Sequence, residues 1–238
     1  MSANSSMVTP PIILAVDTAD IAIAQEWVKA TAGLISGIKL GLEFFLKCGA
    51  EGVKRIQSES NVDLFLDLKL HDIPNTVGRA AGEVAHLAPR FLTVHASGGK
   101  EMISAAVESA PQVEITAVTV LTSLGIAGLQ EIGFANPPLE SAVNLAGLAK
   151  SAGARAIVCS PLETSAIRLA LGPEITIITP GVRPHNSASD DQERVMTPMA
   201  AISAGANYVV VGRPITALWK EGSIAMRAAA FQIAAELS

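Results

Sequence analysis

Short apolar runs rich in β-branched residues alternate along this chain with longer stretches whose apolar positions recur at helical spacing. The first run is Ile12–Val16, ending at Asp17. A helical stretch over about 21–31 follows, with Ile21, Ala24 and Val28 on one face. The second run, Gly37–Gly41, sets Lys39 on the face opposite Ile38 and Leu40. A helix over about 42–59 leads to a third strand, which begins at Asn61 and runs on into Asp67-Leu-Lys-Leu-His-Asp-Ile-Pro-Asn-Thr76. Further runs stand at Phe91–His95, Glu114–Val120, Ala156–Cys159, Ile175–Ile178 and Tyr208–Val211, and a last helix is predicted over about 215–236. Strict alternation of strand and helix implies a parallel sheet with helical crossovers. Eight such units in 238 residues predict an α/β fold, a single closed (β/α)8 TIM barrel. A doubly wound open sheet is the competing arrangement; the lack of Gly-x-Gly-x-x-Gly after the first strand weakens its dinucleotide-binding form. No linker or change of composition divides the chain. One domain is expected over 10–238, behind a disordered or extended tail over 1–9.

The third strand carries the most pointed pattern. Period-two alternation turns Asp63, Phe65, Asp67 and Lys69 one way and Leu64, Leu66, Leu68 and Leu70 the other. The leucine face requires cover from other protein. The opposite face ends in a carboxylate and an ammonium, with Asp72 three residues on. Pro74 stops the strand and biases Ile73 away from helix. Charges crowded at the end of a buried strand are costly unless they pair. A structural ion pair is one reading of this cluster and a catalytic site is the other. The barrel tips the balance: Asp17, Lys39, Asp67, Lys69, His95, Thr122, Ser123 and Arg213 all fall at the C-terminal ends of predicted strands, where barrel active sites are built.

Composition narrows the chemistry. Half the residues are apolar and 16% are charged, which supports a large core and argues against disorder. The net charge of −5 comes without any Lys/Arg run, so nucleic acid is not the expected partner. Two cysteines, Cys48 and Cys159, suit a reducing cytosol, and four scattered histidines give metal chemistry little support. The polar Met1–Thr9 segment lacks a signal pattern, Met7 is a possible alternative start, and no apolar run reaches the ~20 residues of a membrane span. The expectation is a soluble, cytoplasmic protein with no membrane partner.

A phosphate site is the next expectation. Thr179-Pro-Gly-Val-Arg-Pro184 follows the seventh strand, and Gly212-Arg213-Pro214 follows the eighth and opens a helix. Glycine lets the backbone approach a ligand, a helix start offers free N–H groups, and Arg213 can make a bidentate contact. The Ser/Asn/Asp-rich stretch between Arg183 and Thr197 reads either as a lid carrying Gln192 or as an ordinary loop. His95 is expected to be a hydrogen-bonded barrel residue rather than a base, Cys159 a small buried hydrophobe, and Met196, Met199 and Met226 packing residues.

The stretch Asp67–Thr76 closely resembles the signature of the orotidine 5′-phosphate decarboxylase family. Leu-Ala-Val-Asp17, Gly-Ile-Lys39-Leu-Gly, Thr-Val-His95-Ala, Val-Leu-Thr122-Ser123, Thr-Pro-Gly-Val-Arg183-Pro, Asp-Asp-Gln192-Glu-Arg and Val-Gly-Arg213-Pro match in order, from near residue 12 to near 215. The resemblance implies a homodimeric barrel, free of metal and cofactor, that converts orotidine 5′-monophosphate to uridine 5′-monophosphate and carbon dioxide. It implies that Lys69 protonates C6 of the pyrimidine and that Asp67 lies beside the leaving carboxylate. Lys39 and Asp72 complete the charge network, with Asp72 and Thr76 reaching across the dimer interface. Asp17 and Lys39 hold ribose hydroxyls, Thr122 and Ser123 meet the pyrimidine, and Ile73 and Pro180 belong to the substrate pocket. Gln192, Gly212 and Arg213 bind phosphate, with Arg183 at the closing loop. Two rivals share the scaffold: a Mg²⁺-dependent sugar-phosphate lyase or aldolase with the same Asp-x-Lys-x-x-Asp core, and a non-catalytic phosphate-ligand binding protein.

Overall fold

The computed structural model describes residues 9–184 and 196–237. The tail before Thr9 and the polar stretch with Gln192 lie outside the described residues. Eight parallel strands close into a barrel in chain order: β1 Ile12–Ala15, β2 Gly37–Gly41, β3 Asp63–Leu70, β4 Phe91–His95, β5 Glu114–Val118, β6 Ala156–Val158, β7 Thr176–Thr179 and β8 Tyr208–Val211. Pairing of Ile13 with Val210 joins the last strand to the first. The (β/α)8 TIM barrel read from the sequence is therefore the fold, and the open sheet is not.

Alternation along the strands separates two cores. Ile13, Ala15, Phe65, Phe91, Ala156, Ile178 and Val210 point inward and fill the barrel, where the rings of Phe65 and Phe91 meet edge to face at 5.7 Å. Ile12, Leu14, Ile38, Leu40, Leu64, Leu66 and Leu68 point outward into the larger core beneath the helices. The leucine face of β3 thus has the cover it requires. At the strand starts Arg90 pairs with Asp63 and Glu114 and lies over the Phe91 and Tyr208 rings, closing the N-terminal end. The opposite end is left to the site.

Local chemistry sets the connections. The helix Ile21–Ala30 starts at Asp20, whose carboxylate accepts from the N–H groups of Ala22 and Ile23. Ile73 is extended, at φ −60° and ψ 153°, and Pro74 opens the helix Pro74–Ala85. The helix over 42–57 is interrupted at Gly49, which has φ +59°.

The single last helix expected over 215–236 is not formed. Residues Arg213–Thr216 make one helical turn, Ala217–Glu221 a 3₁₀ segment, and Ser223–Glu236 the final helix. Gly222 breaks the run at φ +104°, ψ 169°, a conformation open essentially to glycine alone. Met226 is fully buried and Met196 packs on the core, but Met199 is 42% exposed and is not a packing residue. Its helix, Pro198–Ser203, buries Pro198 and Ala201 instead. Among the described residues no helix is long and apolar enough to cross a membrane.

Candidate active site

The C-terminal strand ends surround a cavity of about 260 Å³. Asp17, Lys39, Asp67 and Lys69 enter it from the first three strands, Thr122 from beyond β5, and Pro180, Arg183, Gly212 and Arg213 from beyond β7 and β8. Strands three and seven stand opposite one another in a ring of eight, so Lys69 and the Arg183 segment approach from opposite walls. Phe65, Val118, Val158 and Val210 form an apolar floor.

Four charges of alternating sign run along one wall. Lys39 Nζ lies 3.2 Å from Asp17 Oδ1 and 3.4 Å from Asp67 Oδ2, and Lys69 Nζ lies 2.7 Å from Asp67 Oδ1. The side chains of Asp67 and Lys39 are only 11% and 14% exposed, so their ionisation depends on one another. Burial works against the charge on Lys39, but the carboxylates of Asp67 and Asp17 outweigh it and hold the ammonium above its ordinary value. Burial likewise opposes ionisation of Asp67; Lys39, Lys69 and the Thr93 hydroxyl outweigh it and hold the carboxyl below the usual range. A buried anion between two cations stays charged, and so does the deeper of the two cations.

Lys69 does not sit in regular strand. Its φ is +49°, and among the described residues only Ala88 is another non-glycine at positive φ. The β3–β4 register passes from Leu66↔Leu92 directly to Leu70↔Val94, so residues 67–69 bulge opposite Thr93 alone. The Lys69 backbone N–H donates to Thr93 Oγ1 at 2.8 Å, and the Thr93 hydroxyl donates to Asp67 Oδ1 at 3.1 Å.

The far wall is built for close approach. A Cβ on Gly212 would stand 3.3 Å from the Ala15 Cβ and 3.7 Å from Asp17 Oδ2. Gly212 caps the single turn Arg213–Thr216, with Pro214 in its first two positions. Gly181 is buried at φ +78°. The Arg183 N–H donates to the Met196 carbonyl at 2.9 Å, so the two ends of the intervening stretch are tied together at the cavity mouth. Two arginines, Arg183 and Arg213, line this wall and suit an anionic, phosphate-like ligand. Among the described residues, no group of three or more His, Cys, Asp or Glu side chains is placed to hold a metal ion.

Residues 10–221 match the model of the orotidine 5′-phosphate decarboxylase / HUMPS family. The chain belongs to this family. It is 51% identical over 227 residues to an orotidine 5′-phosphate decarboxylase of Thermobifida fusca (strain YX), covering 95% of each protein. A relative of the same description from Gluconobacter oxydans (strain 621H) is 48% identical over 213 residues, covering 86% of this chain and 89% of the other. Among solved structures, orotidine 5′-phosphate decarboxylase from Lactobacillus acidophilus superposes with a TM-score of 0.81 at 33% identity, covering 96% of this chain and 99% of that one. Every residue lining the cavity lies inside the family match.

Several expected residues stand apart from it. Asp72, Ile73 and Thr76 are exposed and outside the cavity lining. The Asp72 carboxylate accepts from the Ile73 N–H at 2.6 Å, and among the described residues it forms no ion pair. Ser123 is exposed beside the lining residue Thr122 but does not line the cavity. His95 is half-buried with its ring 5.4 Å from that of His71, and the side-chain hydrogen bond expected of it is not found among the described residues. Burial, His71 and Lys69 push the His95 imidazole below its ordinary value. Cys159 is 1% exposed, as a small hydrophobe would be, and burial, with the Glu163 carboxylate, pushes its thiol up to about 12. It nevertheless lines the cavity, as do Val120 and Leu121, which the sequence pattern had not marked. The sequence pattern does not mark Thr93 either. Its place two residues before His95 on the inward face was visible, but its partners depend on the bulge.

Proposed function

We propose that this chain decarboxylates orotidine 5′-monophosphate to uridine 5′-monophosphate and carbon dioxide, in the cytoplasm, without metal or organic cofactor. The observation that carries this reading is the Lys39–Asp67–Lys69 network, which pairs the Lys69 ammonium at the cavity wall with a buried carboxylate. Breaking the bond from C6 to the carboxylate leaves its electron pair on C6, with no π system to receive it. The Lys69 ammonium stabilises that developing charge and then donates an N–H proton to C6. The neutral amine regains a proton from solvent once product leaves. Asp67 faces the departing carboxylate and fixes the ammonium between them.

The remaining contacts position the substrate. Asp17 and Lys39 take the ribose hydroxyls, Thr122, Ser123 and Pro180 the pyrimidine region, and Gly212, Arg213, Arg183 and Gln192 the phosphate end, with Ile73 a further substrate-binding residue. The active species is a homodimer in which Asp72 and Thr76 serve the partner's site. Their exposure, beside an Ile73 that is 65% exposed, supports that role. Phosphate binding lies away from the reacting bond and assists it by excluding water and holding the base in place.

The test is turnover of orotidine 5′-monophosphate by purified protein in EDTA, followed by ultraviolet absorbance with the product identified by chromatography. Uridine 5′-monophosphate formed under chelation supports the reading. No product from folded protein, with activity on sugar phosphates after Mg²⁺ is added, overturns it in favour of the lyase reading.

A further inference from the structure

Thr93 is fully buried and does not line the cavity, yet it touches both halves of the Asp67–Lys69 pair. A hydroxyl has one proton to give. Because Thr93 Oγ1 accepts the Lys69 backbone N–H at 2.8 Å, its own proton is free to point at Asp67 Oδ1, 3.1 Å away. The same Asp67 oxygen accepts from Lys69 Nζ at 2.7 Å. Lys69 N–H, Thr93 hydroxyl, Asp67 carboxylate and Lys69 ammonium therefore form a closed ring of hydrogen bonds.

The ring answers a problem that the bulge creates. Residues 67–69 face one residue of β4, so the ladder there supplies no regular partner for the Lys69 N–H. Lys69 also holds a left-handed backbone conformation that non-glycine residues disfavour. An N–H left unpaired at this depth would add the cost of its desolvation. Thr93 satisfies that donor and orients the carboxylate with one side chain.

We infer that Thr93 is a positioning residue for the decarboxylation: its hydroxyl fixes the bulge that aims the Lys69 ammonium and the Asp67 carboxylate at the reacting carbon. This inference rests on the proposed function. It acts through Asp67 and Lys69, so it belongs to kcat and leaves ground-state binding of the nucleotide alone.

The experiment compares wild type with Thr93→Val, which keeps the shape and loses the hydroxyl, and Thr93→Ser, which keeps the hydroxyl and loses a methyl. Orotidine 5′-monophosphate turnover, uridine 5′-monophosphate affinity and amide exchange at Lys69 by NMR are measured on each. Thr93→Val is expected to lower kcat about 10–100-fold, with KM and product affinity nearly unchanged and the Lys69 amide exchanging faster. Thr93→Ser is expected to restore most of the rate and the amide protection. A packing role predicts the reverse order, with valine near wild type and serine impaired, and that result would overturn the inference. Should the valine variant not fold, Thr93→Ala carries the same expectation without steric load; a kcat equal to wild type there contradicts it. Absence of turnover by wild type is a different failure, of the proposed function itself.

Discussion

Lys69 Nζ and Asp67 Oδ1 stand 2.7 Å apart although their residues are i and i+2 on one strand. A regular strand sends such side chains out side by side. The left-handed backbone at Lys69 bends the second toward the first. The pair is then extended by Lys39 to a three-charge core in which each buried charge has an opposite neighbour.

Lys39→Met removes one of the two cations that hold Asp67 ionised. Asp67 has a folded pKa below its unfolded value, so it contributes stability above the ordinary carboxyl value of about 3.9 and loses it as pH falls through the folded value. Without Lys39 the folded value rises. The acid limb of kcat/KM against pH is therefore expected to move to higher pH in Lys39→Met, and urea denaturation at acid pH to show a smaller contribution from Asp67. An acid limb at the wild-type position would remove Lys39 from the control of Asp67.

Arg213→Ala tests the phosphate wall. Loss of one charge-assisted contact corresponds to about 1.5–3 kcal/mol, or roughly 10–150-fold in kcat/KM. Orotidine, which lacks the phosphate, serves as the control substrate and is expected to be affected far less. Equal losses on both substrates would take Arg213 away from the phosphate.

Much of the fold is legible in the sequence. Runs such as Gly37–Gly41, Phe91–His95 and Tyr208–Val211 mark their strands because apolar β-branched segments bounded by polar ends have few other uses. The leucine face of β3 announced helices packed against it. Asp17, Lys39, Asp67 and Lys69 were legible as a site because buried charge at strand ends needs a reason. The bulge was not. Period-two reasoning assumes regular strand, and nothing in Asp67-Leu-Lys-Leu70 marks a lysine at positive φ. Thr93 was hidden for the same cause, since its value lies in its partners. The break in the last helix was hidden differently. Gly222 sits in a sequence otherwise suited to helix, and one glycine there is compatible with either a weak helical position or a stop.

Gly222→Ala follows from that break. At φ +104°, ψ 169° an added Cβ meets nothing within 4 Å, so the cost is backbone strain alone. A destabilisation of about 1–3 kcal/mol is expected, read as a lower urea midpoint with unchanged slope and unchanged kcat. A midpoint equal to wild type would show that the segment relaxes into the continuous helix that the sequence pattern suggests.

In the proposed reaction the ammonium of Lys69 supplies both charge stabilisation and the proton. The most direct test is orotidine 5′-monophosphate turnover by Lys69→Ala, with far-ultraviolet circular dichroism and uridine 5′-monophosphate binding measured on the same preparation. An intact fold, retained product binding and a rate lower by roughly 10⁴-fold or more are expected, the combined scale of general-acid and electrostatic contributions. Substantial turnover by a folded, nucleotide-binding Lys69→Ala protein would contradict that role.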